Sequence, residues 1–416
     1  MKRIWLAVLI ALLLCQNLGA QPAPGDVFRE YRWFHEKGDA GHAIRVGGKQ
    51  GVDYPDRGSA HGYINAPFTW PFDIDLEEAI KAEIVIEKIM CHEGTTGLAI
   101  QINDSDWHYV PSPSHIPTPQ AMYQSHTCPV MRMPVSVFKS GTGNRFRLRV
   151  DPTHPWRWPQ NLINGVHVRI YYDPKVKAHP VRVITSLKDG DILPETATLT
   201  TNPQSLDPVS RVDYVGLYED VNLEGDGVYR QWHSLYFHAQ LKHHIGSVTQ
   251  APFTYQWDTT WVPDQQESMQ VCARITDNTD LTYQTPAVTG LTLGRTTRSV
   301  ELCKPYGIPQ KWVTRRGELN EYFDVHGDLK QARAAQLVWC SWSPGYMRGV
   351  SINGTQVFDR EGPNYQTYYH RVDVKDLSVF KAGRNTLTTG KTPKINGKMV
   401  HGMEVNWPGI MVLIRY

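Results

Sequence analysis

Asp75-Leu76-Glu77-Glu78-Ala79-Ile80-Lys81-Ala82-Glu83-Ile84-Val85 returns 253 positions later as Asp328-Leu329-Lys330-Gln331-Ala332-Arg333-Ala334-Ala335-Gln336-Leu337-Val338. Val137-Phe138-Lys139-Ser140-Gly141 returns after 242 positions as Val379-Phe380-Lys381-Ala382-Gly383. Ile102-Asn103 matches Ile352-Asn353, and Gly165 to Tyr172 matches Gly409 to Tyr416. Four matches in one order mark a duplicated unit, and the small drift between offsets falls in loops. A different segment separates the copies, so the architecture is modular.

Around these matches, short alternating runs dominate. They are Lys81 to Ile86, Leu98 to Ile102, Phe146 to Val150, His167 to Tyr172, Tyr214 to Tyr218, Gln270 to Ile275, Leu337 to Trp339, Val350 to Ile352 and Met411 to Ile414. They are rich in Val, Ile, Tyr and Trp and are separated by Gly, Pro, Asn and Asp, the pattern of strands and turns. No long stretch keeps a helical period. The expected class is all-β, of the sandwich or jelly-roll kind.

The C-terminal copy runs from Val338-Trp339 through Gly349-Val350-Ser351-Ile352-Asn353-Gly354-Thr355-Gln356-Val357 and Val372-Asp373-Val374-Lys375-Asp376-Leu377 to Phe380-Lys381-Ala382-Gly383-Arg384-Asn385-Thr386-Leu387. Asn353-Gly354 predicts a tight hairpin turn. This string resembles the galactose-binding-domain-like β-sandwiches found in sugar-binding modules and beside glycoside hydrolase catalytic domains. The resemblance covers roughly 325–416 and, through the duplication, 75–173. It speaks to fold more than to function, because many such domains bind no sugar.

The segment between the copies resembles a bacterial immunoglobulin-like domain. Ser186-Leu187-Lys188-Asp189-Gly190 opens it, Val212 to Tyr218 gives a strand, and Pro252-Phe253-Thr254-Tyr255-Gln256-Trp257-Asp258-Thr259-Thr260 and Cys272-Ala273-Arg274-Ile275-Thr276-Asp277 match later strands. The family joins Tyr218 to Phe253 by a short turn, whereas here Glu219 to Gln250 intervene. Long loops in compact domains are usually functional or disordered, which makes this insertion a candidate functional arm. The expected organisation is a signal peptide at 1–20, a jelly-roll-like domain at 26–174, an immunoglobulin-like domain at 178–295 with its arm at 219–250, and a galactose-binding-like jelly roll at 298–416.

Lys2 and Arg3 precede an apolar run from Ile4 to Leu14, with Gly19-Ala20 beyond it. The run is too short to span a bilayer and reads as a secretory signal. Cys15 is a weak lipobox candidate, because Leu14 stands where a small residue belongs. No other stretch approaches membrane length, so no membrane span is expected. With 43 basic and 41 acidic residues, the charge makes no case for nucleic acid or an anionic membrane. Cys91, Cys128, Cys272, Cys303 and Cys340 remain after the leader, an odd number, so at least one stays free. Cys91 and Cys128 lie in one repeat and could pair. No CxxC pattern supports a thiolate zinc site.

Four clusters carry candidate chemistry. Asp220-Val221-Asn222-Leu223-Glu224-Gly225-Asp226-Gly227 alternates oxygen ligands with turn glycines, as a calcium loop does, so Asp220, Asn222, Glu224 and Asp226 are candidate ligands for structural calcium. Its plain alternative is an acidic hairpin tip. Gln231-Trp232-His233-Ser234-Leu235-Tyr236-Phe237-His238-Ala239-Gln240-Leu241-Lys242-His243-His244 holds four His, enough for a transition metal and equally ordinary as surface or core groups. His401-Gly402-Met403-Glu404-Val405-Asn406-Trp407-Pro408-Gly409 gathers an imidazole, a carboxylate, an amide and an indole. Asn406 and Trp407 are candidate sugar-binding groups, and His401 and Glu404 are candidate acid–base groups. In the first copy Cys91-His92-Glu93, Asp104, Asp106-Trp107-His108, His115 and His126 form the fourth cluster, with Trp156 and Trp158 before the last strand. His92, Glu93, Asp106 and His108 are its catalytic candidates, and Trp107, Trp156 and Trp158 its stacking candidates. The bland reading of both is packing and backbone capping.

Thirteen Trp and twenty Tyr in a weakly charged secreted chain suit sugar stacking, though aromatics also fill sandwich cores. The leading expectation is a secreted or periplasmic carbohydrate-binding protein whose partner is a polysaccharide or glycan. A polysaccharide hydrolase or lyase with a jelly-roll cleft is the second, and hydrolysis would need two carboxylates at a set separation. A structural or adhesive surface protein is the third. No nucleophile elbow, HExxH, Walker loop or dinucleotide fingerprint is present.

Overall fold

The computed structural model describes residues 22–35, 44–46, 67–90, 97–150, 161–181, 183–205, 207–295 and 299–416. Among them the chain is all-β, with short 3-10 turns and no α-helix. No helix of the described residues is long and apolar enough to cross a membrane. All nine runs named from the sequence fall on strands, with Leu98 and Val150 one residue outside.

The first copy is a sandwich. One sheet orders Val27–Tyr31, Asn161–Tyr172 and Ala79–Met90, with Ser125–Thr127 and Val130–Met133 along the far side of Ala79–Met90. The facing sheet orders Phe68–Thr69, Arg145–Arg149, Ala99–Ile102 and Trp107–Tyr109. Alternate residues of a strand face opposite sides, and Asn161–Tyr172 is buried on both. Val166, Val168, Ile170 and Tyr172 join the core with Ile84, Ile86, Ile100 and Phe146. His167, Arg169 and Tyr171 face outward, yet they too are covered.

The second copy has the same strand order. Val300–Cys303, Met411–Arg415, Ala334–Trp342 and Thr367–Val374 form one sheet, and Leu319–Val325, Gly383–Thr389, Val350–Ile352 and Thr355–Phe358 the other. Trp339, Phe323, Leu387 and Val412 fill its core. The quoted repeats hold equivalent places. Asp75 Oδ1 accepts the Glu77 N–H at 2.8 Å before the long strand, and Asp328 Oδ1 accepts that of Lys330 at 3.1 Å. Asn353-Gly354 makes the expected two-residue turn, both at positive φ.

Between the copies, Val209–Glu219 pairs with Met269–Asp277, and Thr196–Thr200 with Thr254–Asp258, over a core that includes Leu199, Tyr214, Trp257 and Val271. Val27–Tyr31 joins this unit to the first sandwich. One edge pairs with Asn161–Tyr172 and the other with Leu281–Gln284, so thirteen strands make one sheet.

The arm expected at 219–250 is folded against its neighbours. Arg230–Trp232 and Gly246–Val248 pair with Val209–Glu219, and Leu235–Phe237 makes a hairpin with Gln240–Lys242. That hairpin covers the outer face of the first sandwich. Tyr236 stacks at 4.7 Å from the His167 ring and donates its hydroxyl to Glu30, while the N–H groups of His238 and Ala239 donate to Glu87. Beneath it, Arg169 pairs with Glu30 at 2.8 Å and with Glu83 at 2.9 Å.

Candidate functional site at the junction of the sandwiches

The segment Ala121–Thr127 runs along the second copy. Met122 O accepts the Lys311 N–H and Gln124 O the Trp407 N–H, each at 2.7 Å, and His126 Nδ1 hydrogen-bonds the Tyr369 hydroxyl. The loop from Asp220 to Gly227 is pressed into the same place. A Cβ at Gly225 would lie 2.3 Å from His126 O at a φ of +64°, and one at Gly227 would meet His115 and Trp407. Glycine is required where backbone approaches backbone this closely.

At this junction a small recess is lined by Met122, Gln124, Lys311, Trp312, Val313, Arg316 and Glu404. Glu404 is 2% exposed, on the short strand Glu404–Val405 that pairs with Ala334–Trp342. Its Oε1 makes no hydrogen bond among the described residues, and neither does Gln124 Nε2. The nearest basic side chains lie at longer range: Arg315 Nη1 at 3.8 Å and His401 Nε2 at 3.5 Å. Burial raises the Glu404 carboxyl to about 7, against the pull of the Arg315 and Arg316 guanidiniums. A carboxyl near 7 can give or take a proton at neutral pH. His401 is held by a 3.0 Å contact from Nδ1 to Gly402 O, with its ring edge-on to Tyr365.

The other residues singled out from the sequence are distributed differently. Trp407 is half-buried against Tyr123, wedged into the junction rather than bare to solvent. Asn406 is buried, with its N–H on Cys340 O and its Nδ2 near Cys340 Sγ at 3.2 Å. Arg149 covers one face of Trp107 at 4.3 Å. Asp104 and Asp106 are exposed, and Asp104 faces Arg145 at 3.9 Å. His115 is exposed beside Ser114, His108 is half-buried on the facing sheet, and His126 lies on the opposite sheet. The first-copy cluster is therefore not gathered at one point. Cys91, His92, Glu93, Trp156 and Trp158 lie outside the described residues, as does the segment at 1–20. Cys128, Cys272, Cys303 and Cys340 are free thiols.

The oxygens proposed for calcium do not converge either. Asp226 Oδ1 accepts from Asn222 Nδ2 at 2.7 Å, Val228 N at 2.9 Å and Gln231 Nε2 at 3.2 Å. Asn222 Oδ1 accepts the Gly227 N–H at 2.8 Å. These bonds make Asn222 and Asp226 the braces of a turn. Glu224 turns away to His233 and His243, at 3.2 and 2.9 Å. Burial would raise its pKa, but the two imidazoles outweigh that and hold it well below the carboxylate range. Burial disfavours a charged His243, yet Glu224 and Asp220 carry its pKa up to about 10.

Sequence reasoning reached Glu404, His401 and Glu224 but missed Gln124, Lys311, Trp312, Arg315 and Arg316. The Arg315-Arg316 doublet before Gly317 was a readable signal. Gln124 offered none.

No protein-family model and no curated protein sequence matches the chain. Solved structures do. The fibronectin(III)-like modules of Clostridium thermocellum CbhA align over 46% of this chain and 79% of their own, at 15% identity and a TM-score of 0.19. A β-porphyranase of glycoside hydrolase family 86 from Bacteroides plebeius aligns over 54% of this chain and 37% of its own, at 14% identity and a TM-score of 0.19. N-glycanase F aligns over 93% of this chain and 95% of its own, at 9% identity and a TM-score of 0.20. The chain spans only about a third of the length of the porphyranase. Similarities of this size assign no family.

Proposed function

We propose that the protein is a secreted or periplasmic carbohydrate-binding protein that engages an extracellular polysaccharide at the Glu404 recess. The observation that carries the reading is the pair of buried polar atoms, Gln124 Nε2 and Glu404 Oε1, that line one recess without a hydrogen bond. Buried polar groups are nearly always partnered. The recess has room for about one water-sized group, so a single sugar hydroxyl, which donates and accepts at once, is what could enter between the amide donor and the carboxyl. Arg316 on the same wall adds a further donor. The aromatic-rich, weakly charged composition and the resemblance of both repeats to sugar-module sandwiches support the same reading.

A second reading starts from Glu404 Oε1, buried in the recess without a hydrogen bond. A buried carboxyl with a pKa near 7 is what a general acid needs at neutral pH. Glu404 would then protonate a leaving oxygen in a polysaccharide-cleaving enzyme, with a second carboxylate as its partner.

The test is incubation of the purified chain with plant, algal and microbial polysaccharides, reading both retention and new reducing or unsaturated ends. Binding predicts retention that Glu404→Gln or Gln124→Ala weakens by roughly 10-fold or more, the scale of a lost charge-assisted hydrogen bond. Products that vanish in Glu404→Gln would establish the second reading. Neither retention nor products would sink both and leave a structural or adhesive role.

A further inference from the structure

We infer that Glu224, His233 and His243 form a binding site for a single divalent transition-metal ion, with zinc the best fit. Among the described residues, this is the one group of three or more His, Cys, Asp and Glu side chains whose ligand atoms all lie within 4.8 Å of one another. The three residues come from separate parts of the arm. Glu224 follows Val209–Glu219, His233 follows Arg230–Trp232, and His243 follows Gln240–Lys242 at a φ of 52°. His243 adopts this left-handed backbone without being glycine, and its Nδ1 lies 2.9 Å from Glu224 Oε1.

The distances suit an ion. Zinc bonds to nitrogen and oxygen of about 2.0–2.2 Å put neighbouring ligands of a tetrahedron about 3.3 Å apart. Glu224 Oε1 stands 3.2 Å from His233 Nδ1 and 2.9 Å from His243 Nδ1. Both imidazoles thus present the same nitrogen. The far nitrogen of His233, Nε2, is oriented from behind by Tyr218 O at 3.0 Å, while Asp220 Oδ2 faces His243 Nε2 at 3.7 Å, an electrostatic contact beyond hydrogen-bond reach. Carbonyls and carboxylates behind the imidazoles are how proteins fix metal-binding histidines. Glu224 Oε2 is buried with no hydrogen bond, a spare oxygen for the ion. Two imidazoles and one carboxylate select borderline ions such as zinc over calcium, which wants six to eight oxygens.

The ion would bind three points of the arm together. The Glu224 loop is the one pressed against His126 and Trp407. A metal there would therefore stiffen the junction that holds the Glu404 recess, although the site does not depend on what that recess binds.

The test uses the whole chain, dialysed against chelator and titrated with cobalt(II), with zinc(II) as competitor. One equivalent of cobalt should give a visible absorption band that one equivalent of zinc abolishes. His243→Ala and Glu224→Gln should weaken uptake by more than the ~10–100-fold typical of outer-shell losses, while His244→Ala, which bonds Ser247 instead, should retain it. X-ray absorption of the zinc-loaded wild type guards against variants that fail to fold. It should show two imidazoles with oxygen and no sulfur. No stoichiometric uptake, uptake that survives both variants, or sulfur in the shell would each overturn the site and leave the trio as an imidazolium ion pair.

Discussion

Asn353 Nδ2 donates to Oδ1 of Asn385 at 2.7 Å, and Asn103 makes the same bond to Asn144 at 3.0 Å in the other sandwich. The surrounding bonds are copied too. Asn353 also donates to Val379 O and Asn103 to Val137 O, each at 2.8 Å. Asn385 and Asn144 each accept the N–H of the Lys four or five residues earlier and return a bond to its carbonyl. The strings Ile-Asn and Val-Phe-Lys-x-Gly recur because they build this clamp between a hairpin and the turn beside it.

Asn385→Ala and Asn144→Ala should each cost about 3 kcal/mol, because several buried backbone groups lose their partner together. Urea unfolding would read this as a lower midpoint at unchanged slope. A change under about 0.5 kcal/mol would mean water replaces the amide freely.

Arg169 is fully buried between Glu30 and Glu83. Arg169→Met should destabilise by up to about 3 kcal/mol, since Glu30 and Glu83 lose the guanidinium buried between them and keep only Arg32 and Lys81, each at 2.7 Å. Adding Glu83→Gln should recover part of that loss in thermal denaturation. No recovery would point to packing instead of charge.

Glu404 makes stability depend on pH in a known direction. Its carboxyl ionises near 4.5 in the unfolded chain and, through burial, near 7 in the folded one. The folded state therefore gains from the protonated group below pH 4.5, and the gain is withdrawn as pH rises to 7. Relative to Glu404→Gln, the wild type should lose roughly 3 kcal/mol across that window. Parallel curves for the two proteins would show that Glu404 is ionised throughout.

Cys272, Cys303 and Cys340 should resist thiol reagents in the native chain. Burial raises all three thiols, Cys272 and Cys340 to about 12, and the thiolate is the reactive form. Mass spectrometry after labelling should find them modified only in denaturant. Native labelling at any of them would reveal local opening.

Strands were legible because their side chains alternate within a few residues, as in Phe146 to Val150. The duplication was legible because the Asn clamp needs specific residues at both ends. The junction was not. Trp407 reads as a free platform until Tyr123 is seen against it. Glu224 reads as part of a local acidic alternation, while its true partners lie 9 and 19 residues further on. Local spacing reports a turn well and a converging site poorly, because convergence depends on where a hairpin is laid down.

The strand Val27–Tyr31 serves two ladders at once. A chain without it would expose two raw edges, at 168–172 and 281–283, separated by a slot two strand spacings wide, about 9.6 Å. Such a slot accepts one extended peptide whose side chains alternate in the right register. The protein thus carries its own donor strand, and a synthetic Val-Phe-Arg-Glu-Tyr peptide supplied in trans is the natural tenant for the gap.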